Sequence, residues 1–121
     1  MDSKKKKFIK LESVDALALF LKKVDRNCFG LGFLNGKSVC GIVFNGSRFN
    51  HSCCPNLSFE CTHSPTQISF TTTRTIKAGE ELTITYLSKQ PSNLNYFERQ
   101  KALEQYGFIC CCPKCENEKP K

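Results

Sequence analysis

Three cysteines crowd the C-terminal end of the chain, Cys110, Cys112 and Cys115, at C-x-C-x-x-C spacing with Pro113 stiffening the loop between them. A tight turn of this kind directs three sulfurs at one cation, and a structural zinc takes four such ligands in a tetrahedron. Three are not enough. The fourth must come from far away in sequence, and whichever residue supplies it folds the tail back over the middle of the protein. Cys53, within Asn50-His51-Ser52-Cys53-Cys54-Pro55-Asn56, is the preferred donor, with Cys54, Cys61, His51 and His63 as rivals that the sequence alone leaves open. Cys111 reads as a bystander. Closure by four cysteines leaves no position for a catalytic water, so the zinc is expected to be structural.

Nine cysteines in 121 residues form an odd count, and no apolar leader precedes the lysines at positions 4–7. The expectation is an intracellular protein of nucleus or cytoplasm, where clustered thiols bind metal in preference to pairing as disulfides. No stretch approaches membrane-spanning length, which argues against a membrane partner. The net charge of +7 is concentrated in Lys4 to Lys7 and in Lys119-Pro120-Lys121, at the two ends. With one cysteine cluster and no second knuckle, that distribution disfavours nucleic acid as a partner. A chain of this length supports one domain whose modest core a metal supplements.

Val14, Leu17, Leu21 and Val24 fall at helical spacing behind Ser13, a good N-cap, so a helix is expected from Ser13 to Val24. Asn35-Gly36 supplies both positive-φ positions of a type I′ turn, which makes Phe29–Leu34 and Lys37–Phe44 a hairpin. Leu57, Phe59 and Cys61 alternate, as do Ile68, Phe70 and Thr72, around a polar His63-Ser64-Pro65-Thr66 turn. Lys77-Ala78-Gly79 reads as a turn before a strand with Leu82, Ile84 and Tyr86 on its apolar face. A second helix is expected from an Asn93 cap to Gln105, with Tyr96, Leu103 and Tyr106 on one face, Arg99 and Gln100 interrupting it, and Gly107 ending it. The fold class is therefore α+β: small hairpins and short sheets, two flanking helices and a C-terminal zinc-binding segment.

Three motifs now stand in order: Asn50-His51-Ser52-Cys53-Cys54-Pro55-Asn56; Gly79-Glu80-Glu81-Leu82-Thr83-Ile84-Thr85-Tyr86; and Tyr106-Gly107-Phe108 followed by the cysteine cluster. Over roughly Asn27 to Cys115 the chain resembles the C-terminal half of the SET-domain protein lysine methyltransferases, most closely the SET-and-MYND subfamily with its cysteine-rich post-SET segment. The resemblance implies a fold, a cofactor and a division of roles. Asn50 and His51 would bind S-adenosylmethionine, with Ser47 lining the methyl-transfer site through its backbone and Phe108 stacking on the adenine. Tyr86 would be the catalytic tyrosine, while Tyr106 and Phe29, the latter within Asn27-Cys28-Phe29, would wall the lysine channel. The substrate implied is a lysine of a protein or peptide, histones included.

The family's N-terminal portion, with its opening strands and Gly-x-Gly cofactor turn, is not matched, and neither is the MYND module. Gly30-Leu31-Gly32 has the letters but falls inside the hairpin, where it reads as strand glycines. The organisation expected is a basic N-terminus over 1–10, a partial SET domain over 11–105, a post-SET zinc segment over 106–116 and a tail over 117–121. Two functions follow. One is an S-adenosylmethionine-dependent lysine methyltransferase, with a partner chain as one source of the missing portion. The other is a catalytically silent SET remnant, a zinc-stabilised module that binds a peptide or a protein.

Overall fold

The computed structural model describes residues 12–61 and 67–121, so the lysine run at 4–7 and the His63–Thr66 turn lie outside the described residues. The first helix, α1, spans Val14–Asn27. Ser13 caps it, its hydroxyl accepting from the Ala16 N–H at 3.1 Å. The helix runs past Val24 because Asn27 folds its side-chain amide back onto the Lys23 carbonyl at 2.8 Å, satisfying a C-terminal acceptor. Its apolar stripe forms as the spacing predicts, yet no residue of α1 is buried.

Strands β1 (Cys28–Leu34) and β2 (Lys37–Ile42) make the expected antiparallel hairpin. Asn35 and Gly36 carry φ of 51° and 75° at its tip, as a type I′ turn requires. The register shifts between Gly30 and Gly32, and Gly32 sits at φ 97°, where a side chain would be strained. Strand β2 stops at Ile42, two residues short of the expectation. Beyond it the chain bends into a 3₁₀ turn, with the Ser47 N–H donating to the Val43 carbonyl at 2.8 Å.

The next strands are β3 (Asn50–His51), β4 (Leu57–Cys61), β5 (Ile68–Thr72) and β6 (Thr83–Ile84). Strands β4 and β5 pair antiparallel with Phe59 opposite Phe70, as alternation predicts. Strand β6 is shorter than its apolar alternation suggests, because side chains capture the next backbone donors. The Tyr86 N–H goes to His51 Nδ1, and the Leu87 N–H goes to Thr85 Oγ1. What remains of β6 pairs parallel with β3, Asn50 beside Thr83 and His51 beside Ile84.

Helix α2 spans Tyr96–Leu103 and is capped by Asn95, not Asn93. Only Asn95 has a glutamate three residues on, so Asn95 and Glu98 close a reciprocal capping box, while Asn93 lies in a separate 3₁₀ turn. The helix gives way to a 3₁₀ turn over Glu104–Tyr106, and Gly107 ends it in the left-handed conformation at φ 78°. A short helix, α3 (Pro113–Glu118), follows, with Pro113 in its first turn.

Two small cores result. One joins Phe29, Leu57 and Ile84; the other joins Leu103 and Leu87 to Cys53, Cys110 and Cys115, and Tyr86 packs against both. The mixed helices and short two-stranded sheets are the α+β architecture expected from the sequence.

Candidate active site and metal centre

The parallel pairing of β3 and β6 lays the central motif beside the Gly-Glu-Glu-Leu segment, and Cys53 follows two residues after β3. Its sulfur lies 3.9 Å from that of Cys110 and 3.6 Å from that of Cys115. The sulfurs of Cys53, Cys110, Cys112 and Cys115 all lie within 4.8 Å of one another. Tetrahedral bonds of about 2.3 Å would hold ligand sulfurs about 3.8 Å apart, so this donor set suits a zinc ion. Of the rivals, His51 lies beside the cluster, its Nε2 3.3 Å from the Cys53 sulfur, but is not one of the four converging donors. Cys54 is exposed beside the Ser52 hydroxyl, and Cys61 donates to the Gln67 carbonyl. Cys111 is exposed, and His63 lies outside the described residues.

Burial, then the Cys115 thiol and the neighbouring sulfurs, push Cys53 far above the ordinary thiol range. Burial likewise pushes Cys110 up to about 11. At Cys112 burial opposes ionisation, but N–H groups of Cys115 and Cys53 and the thiols of Cys110 and Cys115 outweigh it and bring the group down to about 6. A divalent cation among these sulfurs would stabilise thiolate at all four.

The residues that hold this segment are the two polar ones that interrupt the apolar stripe of α2. Gln100 accepts the Cys110 N–H and donates to the Cys110 carbonyl, both at 2.9 Å. Arg99 is fully buried, donating to the Leu94 carbonyl at 2.8 Å, to Glu118 at 2.7 Å and to the Cys115 sulfur at 3.7 Å. Asn56 was also missed as a positioning residue. It is buried, donating to the Glu81 carbonyl and accepting the Thr83 N–H, each at 2.8 Å. Polar residues inside an apolar pattern were the available signal in α2, and the asparagine closing the central motif was the signal for Asn56.

His51 connects the cysteine cluster to Tyr86. Its Nδ1 accepts the Tyr86 N–H at 2.9 Å, and its Nε2 lies 3.3 Å from the Cys53 sulfur. Burial brings its pKa down to about 4, so the ring is neutral near pH 7. With Nδ1 accepting, the ring proton belongs on Nε2, facing the sulfur. Tyr86 donates its hydroxyl to the Phe49 carbonyl at 2.5 Å. Burial, with smaller contributions from Tyr106 and Glu81, raises its pKa above the ordinary phenol value and keeps it protonated.

Phe29, Ser47, Tyr86 and Tyr106 line one cavity of about 420 Å³. Close approach at its rim depends on Gly46, where an added Cβ would stand 2.7 Å from the Phe70 ring. His51 and Phe108 line a second cavity of about 430 Å³, together with Asn56, Glu80, Glu81 and part of the cysteine segment. Ring contacts link the two linings: Tyr86, in the first cavity, has its ring centroid 4.9 Å from that of Tyr106 in the same cavity, and 5.3 Å from His51 and 6.3 Å from Phe108 in the second. Asn50 is not brought into either lining. It is exposed, and its side-chain amide donates to the Glu81 carboxylate at 2.6 Å. Glu80 is engaged as a turn residue, bonded to Arg74, to the Lys77 N–H and to Asn56. No helix among the described residues is long and apolar enough to cross a membrane.

A family model of the SET domain matches residues 4–87, beginning upstream of Asn27 and ending just after Tyr86. A SET and MYND domain-containing protein of Dictyostelium discoideum is 41% identical over 63% of this chain and 14% of its own length. The histone-lysine N-methyltransferase set5 of Schizosaccharomyces pombe is 39% identical over 67% of this chain and 25% of its own length. The human protein-lysine N-trimethyltransferase SMYD5 is 36% identical over 74% of this chain and 20% of its own length. The chain thus spans a quarter or less of each of these three relatives. A match through most of the sequence, closing one residue past Tyr86, shows that this chain belongs to the SET-domain family.

Proposed function

We propose that the chain carries the methyl-transfer site of an S-adenosylmethionine-dependent protein-lysine N-methyltransferase. The observation that carries the reading is the placement of the Tyr86 hydroxyl. It is protonated, bonded to the Phe49 carbonyl, and sits in a cavity walled by Phe29, Ser47 and Tyr106. Its proton is committed to Phe49, so its free lone pair is left to accept from a lysine amine and orient it; the group serves as a positioner and not as a general base. Phe29, Tyr86 and Tyr106 present ring faces that attract a cationic alkylamine. S-adenosylmethionine held there would supply a methyl on a sulfonium sulfur; a neutral lysine amine would take it in line as the S–CH3 bond breaks, leaving the thioether S-adenosylhomocysteine and a methylammonium that releases its proton to water.

For the cofactor, the residues proposed are Ser47, Asn50, His51 and Phe108, with the partly exposed Phe108 ring offered to the adenine. Zinc on Cys53, Cys110, Cys112 and Cys115 would fix the segment that follows Phe108 and, through His51, the backbone of Tyr86. The substrate proposed is a lysine in a protein, histones among them, in the nucleus or cytoplasm. Val14 on α1 and Phe33 and Phe44 around the hairpin are each about four-fifths exposed, apolar surface that a further polypeptide segment or partner chain would cover.

The engagement of the Asn50 amide by Glu81 favours a second reading, a catalytically silent, zinc-stabilised module that binds a peptide or protein. One titration separates the two. Zinc-replete protein is expected to bind S-adenosylmethionine by calorimetry and to transfer labelled methyl to lysine-containing histone peptides. Absence of cofactor binding overturns the enzyme reading.

A further inference from the structure

Arg99 has the largest fully buried side chain among the described residues. A guanidinium withdrawn from water needs anions and acceptors close by. The oxygens around it do not suffice. Leu94 offers a neutral carbonyl, and the Nε–H has no hydrogen-bond partner. Glu118 is partly exposed and divides its carboxylate, one oxygen on Arg99 at 2.7 Å and the other on Lys114 at 2.5 Å. The remaining neighbour is the Cys115 sulfur, 3.7 Å from Nη2. Four thiolates around one divalent cation carry a formal excess of two negative charges, in a pocket where three of the four cysteines are buried.

From these contacts we infer that Arg99 is an outer-sphere counter-charge of the four-cysteine metal centre, donating Nη2–H to the Cys115 sulfur and offsetting the excess charge of the loaded site. The inference rests on the zinc reading of that cluster. It assigns Arg99 two linked effects: holding Cys115 in place, and making the buried tetrathiolate less costly to form. Outer-shell partners of metal ligands typically govern about 10- to 100-fold of metal affinity. Lysine keeps the charge but not the planar fork, so the two effects separate in substitution.

A purely mechanical clamp between α2 and α3 would act through Glu118, and the experiment separates that from counter-charge. Full-length protein loaded with zinc is titrated with a chromophoric chelator, and the cobalt-substituted form is read by its thiolate-to-metal absorption. Arg99→Gln is expected to weaken zinc by about 10- to 100-fold and to shift the cobalt band, with Arg99→Lys recovering part of both. Glu118→Gln leaves the guanidinium at the sulfur, so its zinc affinity is expected to stay within about threefold of wild type. Equal affinity in wild type and Arg99→Gln overturns the inference alone, as does a Glu118→Gln loss as large as that of Arg99→Gln. Where Arg99→Gln fails to fold, Arg99→Lys decides: retention within about tenfold supports the counter-charge, and a larger loss overturns it. A wild-type chain that takes up no zinc overturns the zinc reading together with this one.

Discussion

Gln100 holds the backbone of Cys110 from both sides, accepting its N–H and donating to its carbonyl at the same 2.9 Å. A side-chain amide used this way stands in for a strand neighbour and fixes the two peptide units on either side of Cys110, where the cysteine loop starts. Gln100→Ala leaves both groups partly buried without partners, which is expected to cost about 1–3 kcal/mol. Urea denaturation of the zinc-loaded protein measures it. The same change should speed zinc release to a chelator, since the first ligand of the loop loses its anchor.

Tyr86→Phe keeps the ring contacts with Tyr106, His51 and Phe108 and removes only the hydroxyl. The expected result is a fall in methyl transfer of about 10²-fold, the range seen when a single preorganised polar group is removed from an active site. Cofactor affinity should hold within a small factor. Single-turnover kinetics beside calorimetry reads the two effects separately; a loss confined to cofactor affinity would contradict the role given to the hydroxyl.

Ile84 is buried at the parallel pairing of β3 and β6, inside the core that holds Phe29 and Leu57. Ile84→Ala opens a cavity there and is expected to cost about 2–5 kcal/mol. Because the cysteine cluster lies in the other core, zinc stoichiometry should remain near that of wild type in protein that stays folded, as atomic absorption would check.

The Arg74 guanidinium, then the Lys77 N–H, bring Glu80 down to about 2 from its ordinary value of 4.5. A carboxyl with a lowered folded-state pKa stabilises the protein fully above its unfolded value and loses that contribution as pH falls through the folded one. Stability attributable to this pair is therefore expected to fade between pH 4.5 and pH 2. Arg74→Met should flatten that part of the profile, which urea midpoints at several pH values would show. The magnitude should be modest and salt-sensitive, because both side chains face water.

What the sequence made legible followed from local rules. Ser13 capped α1, Asn35-Gly36 turned the hairpin, and Phe59 met Phe70, because caps, turn dihedrals and strand alternation are decided by a few neighbouring residues. Cys53 also comes together with the other three cysteines, a placement that the sequence left open among four rivals. The parallel contact of Asn50–His51 with Thr83–Ile84 was not legible: two residues per strand leave no periodic signal, and the pairing depends on chain paths set elsewhere. Asn93 has a capping side chain but no glutamate three residues on, and the reciprocal bond with Glu98 places the cap at Asn95. Arg99 and Gln100 looked like flaws in a stripe because hydropathy counts charge against burial, whereas here the buried surface includes thiols and exposed backbone groups that a cation and an amide satisfy.

Cys53 and Cys110 are separated by 57 positions, and a metal held between them would close that stretch into a ring. In the unfolded chain such a ring has fewer shapes available than an open strand, so zinc would stabilise the fold partly by impoverishing its alternatives. It would also make the backbone between the two cysteines dispensable as a tether. A protease cutting inside that interval would leave two fragments that travel as one body under native conditions and part company when a chelator is added.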